Sequence, residues 1–261
     1  MARAKAKSGS HGPKNGPKNG PKNGPKNGPK NGPKESPKSG ARSGGRSGAK
    51  SGGGENTAIR ERRRQQLIES TMASIAKRGF AETTMGDVAK GAKLSHGIVN
   101  FHFRSKDQLL VETLRYMAEE YRGVWTRAVA KAGPSLADKL AALYLADFDP
   151  AVCTRKKLAV WHAFYGESKS RPTYREICGA SDQQRIDAGI ELVREIIAEG
   201  DYRHLAPEVT ARGFDALTEG LWQELLLSTD KFDREGARET VRAFLAYVFP
   251  QHFTLAERDA A

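Results

Sequence analysis

Only two cysteines, Cys153 and Cys178, occur in 261 residues, and neither sits at a metal-ligand spacing. A disulfide framework or a structural zinc site is therefore not expected, and free thiols in a reducing compartment are. No apolar run approaches the roughly 20 residues needed to span a bilayer, so no membrane partner is expected. The N-terminus is charged but lacks the apolar segment of a secretory signal, which predicts a cytoplasmic protein. No segment alternates with period two, which argues against strands. Glycine-rich phosphate loops, activated nucleophiles and paired-carboxylate motifs are missing too, so no enzyme, cofactor or metal is predicted.

Acids are scarce at one end. Residues 1–54 hold ten Lys and three Arg against the single acid Glu35, a net of +12 that equals the charge of the whole chain. From Gly12 the tetrapeptide GPKN repeats five times, ends in GPKE, and passes into a Gly/Ser/Arg stretch. Frequent proline removes backbone donors, glycine raises the entropy of the unfolded chain, and no apolar side chain is offered for burial. A disordered basic tail over 1–54 is predicted. It reads either as a polycation that touches phosphates without reading sequence or as a harmless soluble expansion. The rest of the chain is neutral but unevenly so: 55–106 carries +5 and 107–261 carries −5. A basic unit on a mildly acidic remainder suits a nucleic-acid-binding head over 55–106 and a partner-binding body over 107–261.

Beyond the tail, proline and glycine act as punctuation between helical patterns. Helices are predicted over 57–78, 135–148, 155–169, 172–199, 207–228 and 234–249. A further one begins after Ser105, with Leu110, Leu114, Met117, Tyr121 and Trp125 on one stripe. The fold class is all-α. Between the first helix and Ser105 lie two short capped segments. Thr84 caps the first, with Asp87 placed to reach back to its backbone N–H, and Met85, Val88, Ala89 and Ala92 facing inward. Ser95 caps the second, which Ile98 and Val99 anchor. A helix so short buries too little to form alone. Held by its predecessor, it presents its N-terminal side chains to a DNA major groove.

This order resembles the TetR family of bacterial transcriptional regulators, through TTMGDVAKGAKLSHGIVNFHFRSKDQLL at 83–110. Within it, RRRQQLI at 62–68, WHAFYGESKSRP at 161–172 and LTEGLWQELLL at 217–227 are similar to BetI-type regulators of betaine synthesis from choline. The resemblance covers 55–261 and none of the tail. It implies a three-helix helix-turn-helix head and a multi-helix ligand-binding and dimerisation body. It also implies a homodimer on a pseudo-palindromic operator, its heads about one DNA turn apart, released by a small effector. Two departures stand out. Lys93 occupies a turn position where glycine is usual and a left-handed backbone is needed. Asn100 stands where many members carry tyrosine, which bears on which operator is read.

For the head, Thr84 and Lys106 are phosphate-contact candidates at helix N-termini, against plain capping and a solvated charge. His96, Asn100 and Phe101 are candidates for base edges, Asn100 through bidentate pairing with adenine. Gly97 allows the backbone a close approach, and Ser95 lies at the same helix start. Phe101 is equally open to core packing, which Phe103 is expected to adopt. His102 is read as a phosphate partner, with no second ligand at helical spacing to make it a metal site. Arg62, Arg63 and Arg64 are either a solvated run or an arm near a groove.

For the body, aromatic and acidic residues crowd the middle, including Asp147, Glu167 and Glu219. A ligand cavity lined by some of Phe148, Trp161, Tyr165 and Trp222 is expected, against ordinary core packing for each. Choline or a related quaternary amine is the effector that the resemblance implies, held over aromatic faces. His162 is read as a packed helix residue. Leu217, Leu221, Leu225, Val241, Phe244 and Val248 are expected to form a four-helix dimer interface, intrachain core being the alternative. The competing function is an architectural, sequence-nonspecific DNA binder dominated by the tail, which would associate with the nucleoid as a regulator would.

Overall fold

The computed structural model describes residues 52–254. The predicted disorder of the tail lies outside the described residues except at 52–54, which belong to a helix. Among the described residues there are nine α-helices and no strand. They are α1 (Gly52–Arg78), α2 (Met85–Gly91), α3 (His96–His102), α4 (Lys106–Lys131), α5 (Leu136–Leu145), α6 (Arg155–Ser168), α7 (Pro172–Glu199), α8 (Pro207–Leu227) and α9 (Arg234–Val248).

Helix starts follow side-chain chemistry. Hydroxyls of Thr84, Ser95, Ser105, Ser135 and Thr154 accept from backbone N–H groups three residues on, at 3.0–3.4 Å. Each bond satisfies one of the donors that a helix start leaves without a partner. Proline opens α7 and α8, where its missing N–H costs nothing. Two boundaries differ from the sequence reading. The first helix begins at Gly52, five residues before Thr57. No proline interrupts that stretch. The helix expected over 135–148 is α-helical only to Leu145 and closes in a 3₁₀ turn over Ala146–Phe148.

The head consists of α1–α3. Leu67, Ile68, Met72 and Ile75 of α1 pack with Val88, Ala89, Val99 and Phe103 in one continuous core. Ser70 donates to the Val88 carbonyl at 2.8 Å, and a Cβ on Gly91 would come within 2.3 Å of the Ser70 hydroxyl, so α2 lies hard against α1. Gly79, at φ +87°, ends α1 in a backbone conformation that side chains disfavour. Lys93 adopts φ +55° in the α2–α3 turn, the left-handed conformation expected of it.

Behind the head, α4 carries its whole predicted stripe, Leu110 to Trp125, into the interior. It packs on α1, α5 and α7, while α6 also rests on α1. Phe80, in the loop after α1, meets Phe164 of α6 and Tyr174 of α7 edge-on, with ring centroids 5.5 and 5.9 Å away. The head is thus wedged into the body by an aromatic side chain.

Candidate functional site

The outer face of the head is α3. His96, Gly97 and Asn100 are exposed on it, and Phe101 is 69% exposed while Phe103 is buried. That resolves the two phenylalanines in opposite directions: Phe103 is core and Phe101 is not. Asn100 Nδ2 lies 3.1 Å from His96 Nδ1, one helical turn away. With the amide donating, the imidazole is a neutral tautomer whose Nε2–H remains available, and Asn100 keeps one N–H and its carbonyl oxygen. A Cβ on Gly97 would meet nothing closer than the Ser95 hydroxyl at 3.8 Å. The surface there is open for a backbone-close approach.

Basic side chains flank this face. The Arg60 guanidinium sits 5.5 Å from the Phe101 ring centroid. Arg60, Arg62 and Arg63 are exposed and have no ion-pair partner among the described residues, whereas Arg64 is held by Glu112 at 2.5 Å. Burial, reinforced by Arg60, Arg63 and Arg64, pushes the His102 imidazole below its ordinary value. Arg60 was not singled out in the sequence; its place four residues, about one helical turn, ahead of Arg64 is the signal that could have marked it.

Thr84 ends the α1–α2 loop, and Lys106 reaches the same loop. The Thr84 hydroxyl donates to Asp87 Oδ2 at 2.6 Å while accepting from the Asp87 N–H at 3.1 Å. That hydroxyl, ahead of Arg78 at 2.8 Å and the Thr84 N–H, holds the Asp87 carboxyl below the usual carboxylate range. Lys106 Nζ donates to the Ala81 carbonyl at 2.9 Å, which leaves two ammonium protons for another partner.

The body holds a cavity of about 60 Å3 between α4, α6, α7 and α8. Its aromatic wall is Tyr121, Trp161, Tyr165 and Trp222. Trp161 stacks on Tyr165 at 5.9 Å, and Tyr121 stands edge-on to Trp222 at 5.8 Å. Phe148 does not line it: it is buried in the core with 1% exposure. Its ring is taken up by the core, while the neighbouring Asp147 is held at the cavity by Tyr121 and Arg185. Asp147 faces the cavity and Phe148 faces away.

The charged wall is acid-rich. Arg185 pairs with Asp147 and Asp215, each at 2.6 Å. Tyr121 donates to Asp147 Oδ1 at 2.7 Å, and the Trp222 indole donates to the Asp147 carbonyl at 2.8 Å. Asp182 and Glu219 also line the cavity but pair with no base among the described residues. Burial, then Glu219, pushes the Asp182 carboxyl up to about 6, and burial followed by Asp215 raises Glu219. Four carboxyls against one guanidinium make a site suited to a cation. Of the other acids noted in the sequence, Glu167 instead pairs with Arg171 at 3.4 Å.

A shallower depression of about 410 Å3 adjoins the cavity and shares Tyr165, Glu219 and Trp222 with it. His162 lines that depression, its Nδ1–H donating to the Leu158 carbonyl at 2.9 Å. No group of acids, histidines or cysteines among the described residues could hold a metal. No described helix is long and apolar enough to cross a membrane.

The apolar residues expected at an interface divide unevenly. Leu225 and Val241 are buried within the chain, and Leu217, Leu221 and Val248 are half-buried against its core. Of the six, only Phe244 stands out into solvent, at 46% exposure, with Tyr247 beside it at 69%. On α8 the outward line is Val209, Gly213, Ala216, Gly220, Gln223 and Leu227 instead.

Comparison with known proteins agrees with both halves. Residues 67–113 match the model of bacterial regulatory proteins of the tetR family, and 136–250 match that of the BetI-type transcriptional repressor C-terminal region. The HTH-type transcriptional regulator BetI of Paraburkholderia xenovorans is 33% identical over 199 residues, covering 73% of this chain and 95% of that protein. The BetI of Burkholderia mallei is 31% identical over 191 residues, covering 72% and 93%. Among solved structures, a transcriptional regulator from Pseudomonas aeruginosa shares the fold at a TM-score of 0.64 and 23% identity, covering 74% of this chain and 95% of that one. A regulator from Saccharomonospora viridis in complex with choline does so at 0.62 and 19%, covering 72% and 97%. These matches favour a regulator over both an enzyme and a tail-dominated architectural protein. The chain belongs to the TetR family of bacterial transcriptional regulators, with a body of the BetI type.

Proposed function

We propose that the protein is a homodimeric repressor that binds a pseudo-palindromic operator through α3 and is released by a compact organic cation, choline or a related quaternary ammonium. The head over 55–106 reads DNA, and the body over 107–261 binds effector and partner. Asn100, His96 and Phe101 approach base edges, Gly97 admits the backbone, and Lys106, Thr84, Ser95 and His102 lie along the phosphates. Arg60, Arg62 and Arg63 add charge at the edge of the same face. The basic tail lends sequence-independent attraction to DNA in the cytoplasm and nucleoid, and its removal lowers the salt dependence of binding.

The observation that carries the effector reading is the cavity itself. Four aromatic rings surround a space whose acids outnumber its base four to one. A cation over a desolvated ring gains about 2 kcal/mol or more, and the acids oppose an anionic ligand by repulsion. The choline-bound relative of the same fold supports this choice. Titrating choline against intrinsic tryptophan fluorescence tests it, because Trp161 and Trp222 form part of the wall. A saturable change is expected, and a flat signal up to millimolar choline refutes the assignment.

A further inference from the structure

Two arginines one turn apart on α1 each stand over a phenylalanine at the end of α3 or just past it. The Arg64 guanidinium lies 6.0 Å from the Phe103 ring centroid, and that of Arg60 lies 5.5 Å from Phe101. The two pairs differ in everything else. Phe103 is buried, and Arg64 spends its donors on Glu112 at 2.5 Å and Glu61 at 3.7 Å. That pair belongs to the packing of α1 against its neighbours. Phe101 is exposed, and Arg60 has neither an ion-pair nor a hydrogen-bond partner among the described residues. Its N–H donors all remain free. The same contact made twice is structural at one turn and open to solvent at the next.

We infer that Arg60 and Phe101 form one composite reader of a guanine next to a thymine in each half-site, Arg60 taking the guanine edge and Phe101 the thymine methyl. This rests on the sequence-reading head proposed above and extends it, because a base contact then comes from α1 as well as α3. Arg60 precedes the stretch that matches the family head, which begins at residue 67, so the contact lies outside the shared motif. The chemistry runs as follows. An apolar ring set against phosphates displaces their water without replacing its hydrogen bonds, which costs free energy. Set against a thymine methyl, the same ring buries apolar surface. The guanidinium on its face enters the groove with it. There the planar fork of donors matches O6 and N7 of guanine, a bidentate pairing that a lysine ammonium reproduces poorly. Stacking holds the guanidinium before DNA arrives, so less side-chain freedom is lost on binding. Successive bases rise about 3.4 Å along a strand, so two groups 5.5 Å apart serve neighbouring base pairs.

Selection of duplexes from a randomised library by the full chain tests this, with Arg60→Lys and Phe101→Ala run beside the wild type. Both side chains are exposed, and circular dichroism confirms that each variant keeps its helices. The wild type is expected to enrich a two-fold-symmetric motif with an adjacent guanine and thymine in each half. Arg60→Lys keeps the charge and loses the fork. It is expected to lose discrimination by about tenfold or more at the guanine alone, with its salt dependence unchanged. Phe101→Ala is expected to lose preference at the thymine and, with its platform gone, part of that at the guanine. In the enriched duplex, 7-deazaguanine lacks the N7 acceptor; it is expected to weaken the wild type and leave Arg60→Lys as it was. A motif that Arg60→Lys enriches unchanged overturns the composite reader and leaves the sequence-reading head standing. Equal weakening of that variant on every sequence makes Arg60 a phosphate contact and overturns the reader too. No enriched motif with the wild type overturns the sequence-reading head itself, and the reader with it.

Discussion

Arg171 Nη1, at the start of α7, lies 3.0 Å from Asp107 Oδ1, in the first turn of α4. The same guanidinium sits 5.5 and 5.4 Å from the rings of Phe80 and Tyr174. Phe80 belongs to the loop that ends α1, so one side chain gathers head, connecting helix and sensor helix. Further along α7, Asp182 and Arg185 line the cavity. On this geometry, a shift of α7 on effector binding is expected to reach the base of the head at its other end.

The first prediction concerns that joint. Both side chains are substantially exposed, so the pair alone contributes about 0.2–1 kcal/mol to stability. Asp107→Asn is expected to leave thermal stability and effector affinity nearly unchanged, while raising the choline needed for half-release of operator several-fold. Anisotropy of labelled operator during a choline titration measures this. An unchanged release midpoint removes the Arg171–Asp107 contact from the coupling.

Lys93 offers a stability test. Its left-handed φ of +55° carries a cost of about 1 kcal/mol that glycine avoids. Lys93→Gly is expected to raise Tm by about 2 °C, part of the gain being offset by the freedom that glycine adds to the unfolded chain. Calorimetry that shows a lower Tm contradicts this account of the turn.

Specificity should reside in few side chains. Asn100→Ala removes the amide that pairs with His96, and is expected to cost about 1–3 kcal/mol at one base position of the operator while leaving the remaining positions as they were. Binding measured over a panel of single-base operator variants shows whether one position loses discrimination. Equal losses on every sequence would make Asn100 a backbone contact.

Asp182 predicts a pH dependence. Its pKa of about 6 lies above the ordinary carboxylate value, so the empty site binds a proton more tightly than the unfolded chain does. Around it stand Glu219 and Asp215 of α8, Asp147 and Arg185. A bound cation favours the ionised carboxyl, and binding therefore releases the proton. Affinity for choline should rise as pH increases through about 6 and level off above it, with a loss approaching tenfold at about pH 5. The same raised pKa makes the ionised carboxyl a small liability to the empty protein above that range. Asp182→Asn is expected to flatten the profile; a pH step that persists in that variant assigns the proton elsewhere, with Glu219 next in line.

Much of the head was legible because its signals are local. Thr84, Ser95 and Ser105 each precede a helix by one residue and bond the N–H three residues on, a pattern readable without knowledge of the fold. The cavity was legible only in part. Trp161, Tyr165 and Trp222 announce themselves by size, but Arg185 sits beside Ile186 on the inward stripe of α7 and reads as a charge at the rim of a helix. Its place between Asp147 and Asp215 depends on chain segments 38 and 30 residues away. Phe148 was drawn to the cavity by its ring, but the core takes that ring, and Tyr121 and Arg185 hold Asp147 at the cavity instead. The outward line of α8 escaped notice for the opposite reason. Glycine, alanine and glutamine carry little apolar signal beside the leucines Leu217, Leu221 and Leu225 of the same helix.

The most direct measurement is competition binding of the full chain to the duplex upstream of its own gene at physiological salt, with mass determination of the complex and choline added at the end. The account predicts a two-fold-symmetric protected site that outcompetes excess random duplex, two protomers per site, and release at millimolar choline or below. Binding that shows no preference over random duplex, or a complex of one protomer that choline leaves intact, contradicts it.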